Sequence, residues 1–137
     1  MASILKVDEL QGITAAGDIT VTSEGGAATQ SLQQGLAKTW ANWDGTSPGS
    51  FYDSFNQSAL TDNGTGDFTC NHLSGFSSIN YVLSGSAQAN NGGKICIKGN
   101  TTSTTLKSTS QCRVNTAAQS TSYDVVQTCA LFHGDLA

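Results

Sequence analysis

Apolar and polar residues alternate over short runs along most of this chain, and turn-forming residues separate the runs. Both tryptophans, three of the five phenylalanines and the only proline fall within residues 38–69. In this stretch Lys38–Asp44, Phe51–Asn56 and Phe68–His72 have the composition of strands. Asp62–Asp67 contains Asn-Gly, which supplies the positive φ angles of a tight hairpin turn. We therefore predict that the stretch forms the nucleus of the core.

The same alternation continues to the end of the chain. It predicts further strands at Ile79–Leu83, Lys94–Lys98, Thr105–Val114 and Tyr123–Phe132. These runs recur at intervals of about ten to fifteen residues, and no helical pattern lies between them. The spacing therefore indicates an antiparallel β-sandwich or barrel.

The residues before this β-region follow a weaker pattern. Ser3–Gln11 matches neither the helical nor the strand period, and Asp18–Thr22 alternates as a brief strand. Gly25-Gly26 indicates a flexible link. Ala27–Ala37 predicts the only helix, because its apolar residues recur every four positions, at Ala28, Leu32 and Leu36. So short a helix is unstable alone, so its apolar stripe must pack on the strands or on other copies of the chain.

This pattern divides the chain into three segments. Residues 1–26 form an arm, residues 27–38 a short helical segment, and residues 39–137 the β-domain. The arm has two interpretations, a frayed terminus or an anchor that becomes ordered only against another protein.

The composition limits how large a core one copy of the chain can form. Leu, Ile, Val and Phe together number 27 of 137 residues, whereas Ser, Thr, Asn and Gly number 58. Such a chain suits short strands and many turns. Several of its large apolar residues precede the β-domain, so the domain itself is thinly supplied. We therefore expect copies of the chain to bury apolar surface against one another.

Charge and cysteine content exclude some partners. The net charge is −4, and the six Lys and Arg residues are isolated, so we expect no nucleic acid partner. No apolar run approaches the ~20 residues that span a bilayer, and the first residues do not resemble an export signal. We therefore expect synthesis in a reducing cytoplasm. On that basis four buried free thiols are favoured over two disulfides: Cys70, Cys96, Cys112 and Cys129.

No convergent set of reactive groups predicts an enzyme. His72 and His133 lack partners at a useful spacing, so we expect them to be packing or surface residues. No nucleophile elbow, phosphate-binding loop or zinc-protease motif is present. Asp62 and Asp67 flank a turn without the spacing of a calcium loop. The sequence therefore predicts no catalytic residue, no metal site and no cofactor.

The aromatic-rich stretch resembles a repeated theme of bacteriophage appendage proteins, especially those of marine tailed phages. The opening MASILKVDELQGIT and the closing LFHGD at residues 131–135 are also similar to those proteins. The central matching residues are Lys38, Trp40, Asn42, Trp43, Gly45, Thr46, Asp53-Ser54-Phe55-Asn56, Ser58 and Thr61-Asp62-Asn63-Gly64-Thr65-Gly66-Asp67-Phe68-Thr69.

The resemblance implies a structural protein of a tailed-phage virion, made in the host cytoplasm. It would be a small homotrimeric fibre or spike with an antiparallel β-sandwich or jelly-roll-like domain. The arm would contact other virion proteins through its apolar side chains, which are Ile4, Leu5, Val7, Leu10, Ile19 and Val21. The trimer interface would contain Ala28, Leu32 and Leu36.

Three alternatives remain open at this point. The chain could decorate the phage head rather than the tail. It could be a stand-alone carbohydrate-binding domain that stacks a host-surface glycan on Trp40, Trp43 or Tyr52, although aromatic residues in this stretch favour core positions. A hydrolase of a host envelope polymer is disfavoured, because no catalytic set is present.

Overall fold

The computed structural model describes residues 4–15, 19–23, 25–47, 50–88, 93–97, 106–118 and 121–135. The chain divides into two compact units, the first ending at Leu36 and the second beginning at Ala37. Each unit has its own sheet structure.

The first unit contains a short hairpin. Strand β1 (Thr20–Thr22) pairs antiparallel with β2 (Thr29–Ser31), and Gly26 takes a φ of 70° in the turn between them. The single helical turn α1 (Leu32–Gly35) follows β2 directly. The predicted link at Gly25-Gly26 is therefore a hairpin turn, in which the Gly26 N–H donates to the Ser23 carbonyl at 2.8 Å.

The predicted helix over Ala27–Ala37 is wrong. Its first half is β2, and only one helical turn forms. The cause is tertiary: pairing with β1 satisfies the backbone groups of the β-branched Thr29 and its neighbours, which a helix this short cannot hold by itself. Consequently Ala28, Leu32 and Leu36 do not form one helical stripe. Ala28 and Leu36 lie outside the helical turn and are exposed, and Leu32 is half-buried.

The second unit consists of antiparallel strands. In chain order they are β3 (Thr39–Trp43), β4 (Phe51–Phe55), β5 (Gln57–Gly64), β6 (Asp67–His72), β7 (Val82–Ala87), β8 (Gly93–Ile97), β9 (Gln111–Ala118), β10 (Thr121–Ser122) and β11 (Thr128–His133). The four-stranded sheet has the order β4-β3-β11-β7. In the five-stranded sheet β9 pairs with β6 and β10 on one edge and with β8 on the other, and β5 follows β6.

One core joins the two sheets. Trp43 from the four-stranded sheet and Phe68 from the five-stranded sheet are both fully buried, and their rings meet edge to face with centroids 5.9 Å apart. The other buried members of this cluster come from both sheets and from the loop before β7: Ala41, Leu60, Cys70, Phe76, Tyr81, Cys112, Val114, Ala130 and Phe132. The sequence prediction of an all-β, antiparallel fold is therefore confirmed.

Local boundaries differ from the predictions where tertiary contacts intervene. Asp62–Gly64 belongs to β5, and the hairpin turn is Thr65-Gly66, with Gly66 at φ 62°. The strand predicted over Ile79–Leu83 starts at Val82 instead, because Tyr81 is turned into the core and donates its hydroxyl to the Ser108 and Gln111 carbonyls.

Two C-terminal strands also begin later than predicted. β9 begins at Gln111, after a loop whose Leu106 carbonyl accepts from the Arg113 N–H, and Thr105 lies outside the described residues. β11 begins at Thr128, because the preceding segment packs on a turn: the Gly45 N–H donates to the Val125 carbonyl at 2.8 Å. Backbone groups that bond to turns are not available for a sheet.

All four cysteines are free thiols. Cys70 and Cys112 are buried directly opposite one another on β6 and β9. The prediction that all four are buried is wrong for Cys96, which is exposed on β8, and Cys129 is half-buried. Alternation along a strand explains this, because neighbouring side chains point to opposite faces and only one face of each sheet meets the core.

Candidate functional site

The outer face of the four-stranded sheet carries aromatic, aliphatic and polar side chains in register. On β3, Ala41 and Trp43 point into the core, so Trp40 and Asn42 point outward. Across the sheet, Leu131 of β11 pairs with Trp40 of β3 on one side and with Ser84 of β7 on the other. The next row places Asn42, Cys129 and Ser86 side by side in the same way.

These two rows line a concavity of about 500 Å³, which we call the sheet groove. It is lined by the outward-facing residues of the two rows and by the residues between them, which are Trp40, Ala41, Asn42, Ser84, Gly85, Ser86, Cys129, Ala130 and Leu131. The volume lies within the ~300–1,000 Å³ typical of sites for small molecules.

At position 85 there is no room for a side chain where β7 meets its neighbours. A Cβ on Gly85 would collide with the Cys129 carbonyl oxygen and would come within 2.8 Å of the Ile95 Cγ2. Without that side chain, β7 packs closely on β11 beside it and on β8 beneath it. The exposed hydroxyl-bearing residues Ser84 and Ser86 flank this glycine.

One residue of the groove has a polar atom with no partner among the described residues. The side-chain oxygen of Asn42 is buried and accepts no hydrogen bond from any described residue. Leaving such an atom unsatisfied costs about 1–3 kcal/mol. None of the residues that line the groove is Asp, Glu, Lys, Arg or His. The groove thus combines an aromatic and an aliphatic surface with two exposed hydroxyl-bearing residues, while the Asn42 oxygen is shielded from solvent.

The structure separates the three residues predicted to stack a ligand. Trp40 lines the groove, but Trp43 is 0% exposed and lies in the core, so it cannot belong to a surface platform. Tyr52 is 61% exposed, and its hydroxyl lies 3.1 Å from a carboxylate oxygen of Asp44 and 3.2 Å from the Val126 carbonyl oxygen. It lies on β4 and does not line the groove.

The carboxylate of Asp44 has a structural role in this turn. It accepts hydrogen bonds from the Thr46 hydroxyl at 2.6 Å and the Thr46 N–H at 2.8 Å, and these lower its pKa. The contact with Asp44 in turn raises the pKa of Tyr52. Together these hydrogen bonds hold the turn after β3 in place.

The residues predicted to bind a ligand did not include Asn42, Leu131 or the two serines. Alternation along β3 was enough to place Asn42 on the face of Trp40. No sequence signal placed β11 and β7 beside β3, because those strands lie about 45 to 90 residues away along the chain.

A second polar cluster is buried between the sheets around His72. The imidazole contacts the rings of Phe132, Phe76 and Tyr81 with centroids 5.1, 5.2 and 5.9 Å away. Its Nδ1 lies 3.4 Å from the Gln57 amide nitrogen, and its Nε2 has no partner among the described residues. Burial lowers the pKa of His72 to about 4, so the ring is neutral at pH 7.

The thiols beside this cluster are poor nucleophiles. Burial raises the pKa of Cys112 to about 11 and raises that of Cys70 further. A thiol is reactive as the thiolate, which both environments disfavour. Within the described part of the chain, no three His, Cys, Asp or Glu side chains are placed to hold a metal ion. We therefore assign this cluster to packing.

The first unit has a different character. Every residue in its predicted anchoring set is described, and all but the half-buried Ile19 are exposed. Ile4 and Leu5 are each 77% exposed, and Ile13, which was not predicted, is also exposed. Among the described residues of this unit, no apolar side chain belongs to a buried cluster.

No family model matches this chain, and comparisons with curated proteins and with solved structures found no match. The resemblance to phage appendage proteins therefore stays a prediction. Among the residues that the structure describes, no helix is long and apolar enough to cross a membrane.

Proposed function

We propose that the chain is a structural protein of a tailed-bacteriophage virion, a small homotrimeric fibre or spike that its first unit attaches to the particle. One observation carries the proposal: the first unit exposes nearly all of its large apolar side chains, while the second unit has a shared core of its own. The resemblance of residues 38–69 to phage appendage proteins is the reason for proposing that this particle is a phage virion.

The exposed apolar side chains support attachment on physical grounds. Soluble monomers rarely expose large contiguous apolar patches, and such patches mark interaction sites. The most exposed members, Ile4, Leu5 and Ile13, fall within ten residues of one another. Burying each of them against a partner would contribute about 1.5–3 kcal/mol. The hairpin of β1 and β2 is two-stranded, and such hairpins are marginally stable alone in water.

The residues that carry the resemblance make contacts that shape turns and join strands. Asn56 takes a φ of 57°, and its amide nitrogen donates to the Lys38 and Ser74 carbonyls. Asp62 accepts from the Gly64 N–H at 2.8 Å, and Asp67 accepts two hydrogen bonds of 2.7 Å from Arg113. A motif that shapes turns and pairs strands suits a structural protein better than an enzyme.

Mass spectrometry of purified virions tests the assignment. We expect the chain in particles of the phage that encodes it, and cryo-electron microscopy of those particles would place it on the tail or on the head. Its absence from intact virions would overturn the proposal. Light scattering of the purified chain is expected to give the mass of a trimer.

A pair of variants tests the attachment. Ile4→Asp with Leu5→Asp places two carboxylates among the exposed apolar side chains, and we expect the protein to fold but to be missing from particles. Gln11→Asp with Thr14→Asp adds the same charge at exposed polar positions of the same unit and serves as the control. Equal incorporation of both double variants would mean that the apolar side chains do not attach the chain.

A further inference from the structure

We infer that Asn63 is a site of self-modification, at which the side-chain amide is converted to a carboxylate through a cyclic imide formed with the backbone nitrogen of Gly64. The reaction consumes one water and releases one ammonia, so it needs no oxidant and no cofactor. The inference concerns the hairpin between β5 and β6, goes beyond the proposed function and does not rest on it.

The backbone around Asn63 has the freedom that this reaction needs. The register of β5 on β6 shifts between Asp62 and Gly64, which makes Asn63 the extra residue of a β-bulge. Gly64 has a φ of 121°, and a Cβ placed on it would have nothing within 4 Å. No side chain at position 64 therefore hinders the approach of this nitrogen to Cγ of the exposed Asn63.

A carboxylate lies within reach of the proton that must leave the nucleophile. The Gly64 N–H donates a hydrogen bond to Oδ1 of Asp62 at 2.8 Å. A general base has to lie at about this distance from the proton that it removes, and carboxylates commonly serve in this role. The geometry thus places Asp62 to accept the proton as the Gly64 nitrogen attacks.

A hydroxyl lies beside the amide nitrogen that must leave. Nδ2 of Asn63 donates to Oγ1 of Thr69 on β6 at 2.9 Å, and more weakly to the Thr61 carbonyl at 3.4 Å. A threonine hydroxyl donates as well as accepts, so Thr69 can protonate this nitrogen as its bond to carbon breaks. Thr69 is buried, which fixes its hydroxyl next to the leaving group.

These contacts define a sequence of steps in which atoms and protons balance. The Gly64 nitrogen gives its proton to Asp62 and bonds to Cγ of Asn63, which closes the imide ring. The bond from Cγ to Nδ2 then breaks, and ammonia leaves with the proton that Thr69 donates. The proton on Asp62 returns to Thr69 through water. A water molecule finally opens the imide at one of its two carbonyls, which leaves an aspartyl or an isoaspartyl residue at position 63.

Either product changes the hairpin. A carboxylate at position 63 cannot donate to Thr69, and it follows the carboxylate of Asp62 directly in the chain, so the two charges repel. The isoaspartyl product also adds one carbon to the main chain just before the turn at Thr65-Gly66. We therefore expect converted chains to unfold at a lower urea concentration than unconverted ones.

Peptide mass spectrometry of the folded full chain, incubated at neutral pH, tests the inference. Conversion adds the mass difference between an amide and a carboxylic acid to the peptide that contains residue 63, and chromatography separates its two products. The other Asn-Gly pair of the sequence, at residues 91–92 and outside the described residues, is an internal reference in the same sample. We expect both products at residue 63 to accumulate in the folded parent.

Two variants isolate the proposed groups. Asp62→Asn keeps an acceptor for the Gly64 N–H but replaces the carboxylate by a much weaker base. Thr69→Val keeps the shape of the side chain and removes its hydroxyl. Each variant is expected to slow conversion at residue 63 about tenfold or more, while the rate at residue 91 stays the same. Asp62 is exposed, so its variant keeps the test valid even if Thr69→Val folds poorly.

Thr61→Val is the matched control for the loss of a hydroxyl. The Thr61 hydroxyl accepts from the Asn71 amide rather than from Asn63, so the rate at residue 63 should not change. Concentrated urea removes the contacts of the hairpin, and there the parent and the three variants should convert at one rate. A difference that persists in urea would overturn the role given to the folded geometry.

Two further results would overturn the inference. The first is a folded parent in which residue 63 stays intact over the time in which the unfolded chain converts. The second is an equal rate at residue 63 in the folded parent and in both Asp62→Asn and Thr69→Val. Neither result bears on the presence of the chain in virions, so failure here is distinct from failure of the proposed function.

Discussion

Leu5 and Trp43 are both large apolar residues, but their exposure to solvent differs between the two units of the chain. Leu5 is exposed in the first unit, whereas Trp43 is fully enclosed by residues of both sheets in the second. The second unit gains stability from its own core, while the first has a hairpin and one helical turn to order it. The difference shows that the buried core cluster lies entirely after Leu36, and the exposure of the apolar side chains before it is what the proposed attachment role would explain.

The largest expected effect comes from two glycines that share a conformation and differ in their surroundings. Gly66 has a φ of 62°, and an added Cβ would collide with the Thr116 carbonyl and lie 2.6 Å from the Tyr123 nitrogen. We expect Gly66→Ala to lower the free energy of unfolding by about 3 kcal/mol or more, as measured by urea denaturation.

Gly26 in the first unit provides the matched control. Its φ is 70°, and an added Cβ would have nothing within 4 Å. Gly26→Ala strains the hairpin turn by about 1–2 kcal/mol, but the unfolding of the second unit should not change. Equal losses from the two alanines would mean that the units unfold together, and the contrast between them would be wrong.

The next expected effect is a dependence of stability on pH, which His72 of the second unit causes. His72 has a pKa of about 4 in the folded chain against 6.5 ordinarily, because burial disfavours its charged form. The unfolded chain binds the proton more readily, so stability is complete above pH 6.5 and falls as the pH drops from 6.5 to 4. The loss should be on the order of 3 kcal/mol.

Urea unfolding between pH 7 and pH 4 measures this loss. His72→Gln removes the titrating group, and its stability should change much less across the same interval. A chain that starts at Ala37 should show the full dependence of the parent. A variant with an unchanged pH profile would show that other groups, such as carboxylates, cause the acid sensitivity.

Removal of the first unit should have the smallest effect on stability. A chain that begins at Ala37 keeps the core cluster of the second unit entire. We expect its melting temperature, followed by circular dichroism, to lie within about 2 °C of that of the full chain, because no residue of the first unit belongs to that cluster. The same truncation should abolish incorporation into particles. Unfolding of the truncated chain would place the first unit in the core and remove the basis for an attachment role.

Much of the second unit could be predicted from local pattern. Alternation and turn residues indicated strands that overlap β3, β4, β6, β8 and β11, and the absence of a helical period indicated an all-β fold. The helix over Ala27–Ala37 was wrong because a spacing of four is also compatible with a strand followed by one helical turn. Pairing of β2 with β1, which the spacing does not reveal, decided between them.

The residues of the candidate site also differ in whether local pattern could predict them. Trp40 was among the predicted ligand residues because of its type, and Asn42 shares its face through the period of two in a strand. Trp43, predicted with it, has the opposite orientation, since it lies an odd number of positions from Trp40. Leu131 and Ser86 complete the groove only because β11 pairs with both β3 and β7.

By itself, the sequence determined the class of fold, the low charge and the chemistry available at each position. These depend on residue type and on nearest neighbours along the chain. Only the tertiary structure decided which strands pair, which face of each strand meets the core, and therefore that Trp40 and Asn42 line a groove together with residues of β7 and β11. The physical reason is that strand pairing joins residues far apart in sequence, and its free energy comes from burying both sheets against one shared core.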